Sequence, residues 1–127
     1  MAKQVSTIPF RKVIAAGVSS YIDYEVPDYA TLEKLNIYFA SGNLFSLQLN
    51  PVILQSGSKL PTPIPSYPSN GDNYVTGDGS NVEFDVSRPL TPYDIIRIYY
   101  NNTDGANTAT LAVDAVIDYY AGRARVV

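Results

Sequence analysis

The groups in this sequence that could do chemistry are carboxylates, phenols and amides. Twelve Asp and Glu and eleven Tyr stand in a chain of 127 residues that has no His, no Cys and no Trp. Without imidazole or thiol there is no His base, no thiolate nucleophile, no disulfide and no ordinary structural zinc site. What remains is an acid pair of the glycosidase type, in which burial keeps one carboxyl protonated. Glu83 with Asp85, and Asp114 with Asp118, have usable spacing. Each pair falls on the polar side of an alternating stretch, where a carboxyl stays solvated. The chain is therefore expected to be no enzyme and to hold no cofactor.

Hard oxygen donors on Gly-permitted turns would suit Ca²⁺. Asp72, Asp78 and Glu83 are the candidate set, supplied by Gly71-Asp72-Asn73 and by Gly77-Asp78-Gly79-Ser80-Asn81. The order departs from an EF-hand, with Gly in the second place and no acid in the third. Turn chemistry alone explains Asp beside Gly, so no metal is expected. Asn101-Asn102-Thr103 has the form of a glycosylation sequon but reads as part of a turn.

The net charge of -3 hides an asymmetry. Lys3, Arg11, Lys12, Arg123 and Arg125 lie at the two ends, whereas residues 13–122 hold four basic and all twelve acidic groups. Basic ends on an acidic body could dock on an acidic surface. They do not make the clustered basic face that a phosphate backbone requires, so no nucleic acid partner is expected. No apolar run approaches the ~18 residues of a membrane helix. The first residues lack the apolar stretch of a signal peptide, and none is expected.

The elements that must position these groups are strands. Apolar residues alternate with polar ones nearly everywhere. Ile22, Tyr24 and Val26 oppose Tyr21, Asp23 and Glu25, and the stretch ends at Pro27. Leu35, Ile37 and Phe39, then Ser41-Gly42-Asn43, then Phe45, Leu47 and Leu49 read as a hairpin. Val52–Leu54 is a short apolar run. Val82, Phe84 and Val86 follow, then Ile96, Ile98 and Tyr100 against Ile95, Arg97 and Tyr99. Leu111, Val113, Ala115, Ile117 and Tyr119 oppose Thr110, Ala112, Asp114, Val116 and Asp118. A further strand is expected around Lys12–Val18, after a polar arm of about residues 1–12, and a single helical turn at Tyr29–Lys34. Residues 55–79, rich in Pro and Gly, read as a long loop stiffened by Pro61, Pro63 and Pro65.

These seven or eight strands imply a single all-β domain over residues 1–127. The architecture is an antiparallel β-sandwich, read as a jelly roll, with an immunoglobulin-like Greek key as the alternative. Tyr24, Tyr100 and Tyr119 fall on its apolar side. Tyr38, Tyr67, Tyr74 and Tyr99 fall outside it and, with the basic ends, make the expected contact surface, because Tyr is favoured at protein interfaces.

A polar basic arm, about eight short strands, a Pro-rich loop and the run Arg88-Pro89-Leu90-Thr91-Pro92-Tyr93-Asp94-Ile95-Ile96-Arg97-Ile98-Tyr99-Tyr100 resemble the small jelly-roll proteins that decorate or cement virus capsids. The Leu-x-x-x-Asp-x-Ile-x-Ile spacing within that run is also similar to segments of jelly-roll carbohydrate-binding modules. The first resemblance implies a structural protein of the virion, made in the host cytoplasm. It would assemble with itself, a trimer being favoured, on a larger protein assembly such as a virus or phage capsid. The second resemblance implies a carbohydrate- or receptor-binding module.

Overall fold

The computed structural model describes residues 4–42, 45–55, 61–63 and 74–119. The alternating stretches form β1 (Gln4–Ile14), β2 (Ser19–Glu25), β3 (Ala30–Phe39), β4 (Leu47–Leu54), β5 (Pro61–Pro63), β6 (Ser80–Leu90), β7 (Ile95–Asn102) and β8 (Ala109–Tyr119). Two four-stranded sheets result, with orders β1-β8-β3-β6 and β2-β7-β4-β5. The pairs β1–β8, β2–β7, β3–β6 and β4–β5 are all antiparallel. They are successive rungs of one long ribbon, folded back at β4–β5 and rolled so that the rungs alternate between the sheets. That is a jelly roll. An immunoglobulin-like sheet would place β1 beside β2.

Proline explains which strands lie outermost. It cannot donate to a ladder and is tolerated chiefly on edges. Pro9 lies in β1, Pro89 in β6, and Pro61 and Pro63 in β5, three of the four edge strands. Pro51, in the inner strand β4, departs from this pattern. Lys12 adds a second guard to β1: it pairs with Leu111, in register with the inward-facing positions, and a charge there opposes pairing with another strand.

One apolar cluster fills the space between the sheets, built from residues such as Leu32, Leu35, Ile37, Leu49, Ile96, Ile98, Leu111 and Val113. Burying each of these large side chains contributes about 1.5–3 kcal/mol relative to exposure. Tyr100 is buried, while Tyr24 and Tyr119 pack at the margin of the cluster and join the two sheets, Oη to Oη, at 2.7 Å.

Five local expectations change. The loop expected over residues 55–79 is not loop throughout, since Pro61–Pro63 pairs with β4 and Val75 bridges Leu49. The described part of the expected arm, residues 4–12, is strand: Ile8, Phe10 and Ile14 face the core opposite Ala115, Val113 and Ala109. The strand expected at Lys12–Val18 therefore ends at Ile14, and Gly17, at φ 70°, turns the chain into β2. The helical turn expected at Tyr29–Lys34 is the start of β3, because Ala30 and Leu32 are needed in the core. The hairpin expected from Leu35 to Asn50 does not form: β3 and β4 lie in different sheets. Ser41-Gly42 lies in the crossing between them, and Phe45 falls outside β4. Period-2 patterning identifies a strand's inner face but not its partner, so hairpin and sheet-to-sheet crossing read alike.

Charge and protonation predict a flat stability profile. The Asp104 carboxyl is held below its usual range by the backbone N–H of Ala106, then by the side chain and backbone N–H of Asn107. Burial, and then the bond with Tyr24, push the Tyr119 phenol up. Asp104 therefore contributes stability above the unfolded carboxylate value of about 4, lost as pH falls. Tyr119 contributes stability below the unfolded phenol value of about 10, lost as pH rises. With no His in the sequence, the melting temperature is expected to stay level between about pH 5 and 9 and to fall on either side. Thermal melts across that range check this; a midpoint step near about pH 6.5, the usual His value, would contradict it.

Candidate functional site

The outer face of the sheet β2-β7-β4-β5 gathers the most organised polar and aromatic cluster. Alternation turns Tyr21 and Asp23 of β2, and Arg97 and Tyr99 of β7, outward. Register then sets Asp23 opposite Arg97 and Tyr21 opposite Tyr99. Cross-strand neighbours at such positions touch. Arg97 Nε donates to Asp23 Oδ1 at 2.8 Å, Nη2 to Oδ2 at 2.9 Å, and Nη1 to the Tyr99 hydroxyl at 3.2 Å. Its guanidinium carbon stands 3.7 Å from the Tyr21 ring centroid, and the two Tyr rings meet edge-on at 5.8 Å. The Asp23 bond, reinforced by Tyr99, pushes the Arg97 pKa further up. The cluster is a rigid unit whose charges neutralise each other. Removing it with Arg97→Ala is expected to cost about 1–2 kcal/mol, the sum of a part-exposed ion pair and one cation–π contact. Urea unfolding with an unchanged m-value checks this.

Next to the cluster lies a cavity of about 210 Å³ lined by Ser19, Ser20, Gln48, Asn50, Tyr74, Tyr99, Tyr100 and Asn101. Gln48 sits opposite Asn101, and Asn50 opposite Tyr99. The Asn101 amide donates to Gln48 Oε1 at 3.3 Å. Tyr74 is brought alongside by Val75, whose backbone exchanges two hydrogen bonds with Leu49, at 2.7 and 2.9 Å.

The two ends of the sandwich display a different feature. Phe45 and Tyr93 are 62% and 66% exposed, and both adopt left-handed backbone, at φ 61° and 74°. Phe45 lies at the end of the sandwich near Thr103, whose N–H and hydroxyl bond the Ser46 carbonyl. Tyr93 lies at the opposite end, where its N–H donates to the Val26 carbonyl. Gln4 pairs with Tyr119 at that same end, so the chain enters β1 and leaves β8 there.

The expected contact residues that are described do not form one patch. Tyr74 and Tyr99 come together at the cavity, while Tyr38 is on the outer face of the other sheet. Arg11 is tied to Asp114 at 2.8 Å and donates to the carbonyls of Phe10 and Val113, so it is not a loose basic end. Lys12 is exposed on β1. Lys3, Tyr67, Arg123 and Arg125 lie outside the described residues. Of the calcium candidates, Asp78 accepts the Gly42 N–H at 2.7 Å and Glu83 pairs with Lys34 at 2.9 Å. Asp72 lies outside the described residues. Among the described residues no three acidic side chains gather as a metal site. Asp118 is buried on the outer face of its sheet rather than solvated, and Asp114 is half-buried beside Arg11.

Sequence reasoning missed Asp23, Arg97, Gln48, Asn50 and Asn101 as a group. Their signal is the outward alternation of Tyr21-x-Asp23, Gln48-x-Asn50 and Arg97-x-Tyr99-x-Asn101, readable only once β7 is known to lie between β2 and β4. Nothing in the sequence marks Phe45 or Tyr93 as left-handed.

Topology and surface together define an eight-stranded jelly roll with an aromatic and amide-lined face on one sheet. Similar solved structures come from infectious bursal disease virus. The Gx strain structure is 16% identical with a TM-score of 0.43, covering 97% of this chain and 34% of that one. The Gt strain structure is 15% identical with a TM-score of 0.44, covering 95% and 33%. The VP2 subviral particle is 14% identical with a TM-score of 0.39, covering 95% and 33%. This chain thus spans about a third of each chain it matches, and the likeness is one of architecture. No family model and no curated protein matches the sequence.

Proposed function

We infer that this chain is a non-enzymatic, single-domain structural protein that assembles as a homo-oligomer, a trimer being favoured, on a larger particle. A decoration or minor protein of a virus or phage capsid fits best, placing the chain in the virion. The observation that carries this reading is the pair Phe45 and Tyr93. A large aromatic held exposed in left-handed backbone costs on the order of 1–3 kcal/mol, and neither side chain gains burial within the fold that would offset it. Burial against another subunit or a particle surface would repay it. Strain of this kind points to a contact site, and large rings with little rotamer freedom suit one.

Two further features agree. The jelly roll is widely used in virus capsids, though also in lectins. Gln4 of β1 and Tyr119 of β8 pair at the Tyr93 end, and basic Lys3, Arg123 and Arg125 belong to the sequence flanking those two strands. In this reading those residues anchor the protein on an acidic partner, and Lys12, Tyr38, Tyr67, Tyr74 and Tyr99 contribute to subunit contacts. Light scattering after size exclusion tests it: a discrete oligomer, or co-sedimentation with the particle, is expected. A strict monomer with affinity for no particle would sink it. A receptor- or carbohydrate-binding module is the second reading, favoured by the amide-lined cavity.

A further inference from the structure

The cavity between β2, β7 and β4 has a lining of unusual uniformity. Its lining among the described residues bears hydroxyls, primary amides and phenol rings, and none of these residues carries a formal charge. The guanidinium of Arg97, which bonds the lining Tyr99, is already committed to Asp23 on two nitrogens and to Tyr99 on the third. An anion entering the cavity would be desolvated without a counter-charge. A purely apolar molecule would strip water from the amides without replacing their hydrogen bonds. The occupant that suits this lining has alternating donors and acceptors on its rim and an apolar face.

We propose that this cavity binds the ring of a neutral sugar, such as the terminal monosaccharide of a glycan. Vicinal hydroxyls each donate and accept, as a primary amide does from its two ends. The bond from Asn101 to Gln48 Oε1 leaves Gln48 Nε2 to donate and Asn101 Oδ1 to accept. Gln48 and Asn101 both line the cavity, from adjacent strands in direct register. The C–H face of a pyranose lies against Tyr99 or Tyr74, both of which line the cavity. Tyr99 is set in advance, because Arg97 holds its hydroxyl at 3.2 Å and Tyr21 abuts its ring. A ring fixed before binding lowers the ordering cost of association. A volume of about 210 Å³ has room for one ring rather than a long oligosaccharide, below the range of about 300–1,000 Å³ usual for drug-sized ligands.

The site deepens the second reading, on which it rests, and is independent of the assembly reading, since light scattering and sugar binding are separate measurements. The test is a titration of the ¹⁵N-labelled chain with methyl α-glucoside, methyl β-galactoside, methyl α-mannoside and N-acetylglucosamine, with glucuronate as the charged comparator. The readout is the side-chain NH₂ signals of Gln48, Asn50 and Asn101. At least one neutral sugar is expected to shift these signals in a saturable way. Gln48→Ala, checked for an unchanged melting temperature, is expected to weaken binding about tenfold, while Glu83→Gln on the other sheet leaves it unchanged. No shift with any neutral sugar, unchanged affinity in Gln48→Ala, or tighter binding of glucuronate than of the neutral sugars would each overturn the proposal.

Discussion

Replacing Asn102 with Ala is expected to lower stability by about 3 kcal/mol, a large share of the 5–15 kcal/mol that holds a typical domain folded. Asn102 is fully buried at the end of β7. Its Nδ2 donates to the carbonyls of Ile14 and Ala15, both at 3.3 Å, and of Asn107 at 3.0 Å. Its Oδ1 accepts the Asp104 N–H at 3.1 Å. One side chain thus ties the turn after β1 to the loop after β7, in different sheets. Truncation removes the partner of the buried Ile14 carbonyl and of the partly buried Ala15 and Asn107 carbonyls and Asp104 N–H, each costing on the order of 1–3 kcal/mol where water cannot enter. Asn107→Ala is the contrast, since Asn107 is exposed. It should cost under about 1 kcal/mol. Urea unfolding of both variants checks the difference; equal small losses would mean that water replaces the Asn102 bonds.

Tyr93→Gly and Phe45→Gly are expected to separate folding from assembly. The backbone around Tyr93 is fixed without its side chain. The Tyr93 N–H donates to the Val26 carbonyl at 2.7 Å, and the Val26 N–H to that of Asp94 at 2.8 Å. The Asp94 carboxylate accepts the Thr91 N–H at 2.9 Å and the Thr91 hydroxyl at 3.0 Å. Glycine takes up left-handed φ without steric cost but loses more entropy on folding. The monomer should therefore keep its stability or gain up to about 1 kcal/mol from each substitution. The double variant should nonetheless lose its oligomer or its attachment to the particle, read by light scattering and co-sedimentation. An oligomer that survives both changes would place the contacts elsewhere on the molecule.

Much of this architecture can be read from alternation alone. The inward faces of β2, β7 and β8 follow Ile22 and Tyr24, Ile96, Ile98 and Tyr100, and Leu111 to Ile117, because a half-buried strand must place apolar groups every second residue. Pro9, Pro89, Pro61 and Pro63 fall on edge strands, but Pro51 in the inner β4 shows that proline alone does not identify an edge. Pairing is not legible in the same way. Ser41-Gly42 suits a hairpin as well as a crossing between sheets, and only the completed core distinguishes them. The cavity depends on that pairing: Gln48 and Asn101 lie far apart in sequence and meet through the register of β4 on β7. Asp118 illustrates the opposite limit, a polar position in the pattern that tertiary packing buries.

The rolled ribbon also sets the order of events in folding. Its innermost rung, β4 with β5, closes a short loop, whereas its outermost, β1 with β8, joins Gln4 to Tyr119 across nearly the whole described chain. Such non-local pairing places folding in the slow range, on the order of milliseconds to seconds, typical of sandwich proteins. Of the eight described strands, β1 is synthesised first and its partner β8 last. Pro9 and Lys12, which keep β1 from accepting a foreign neighbour in the finished sheet, are then most valuable in the nascent chain, when the whole strand waits unpaired.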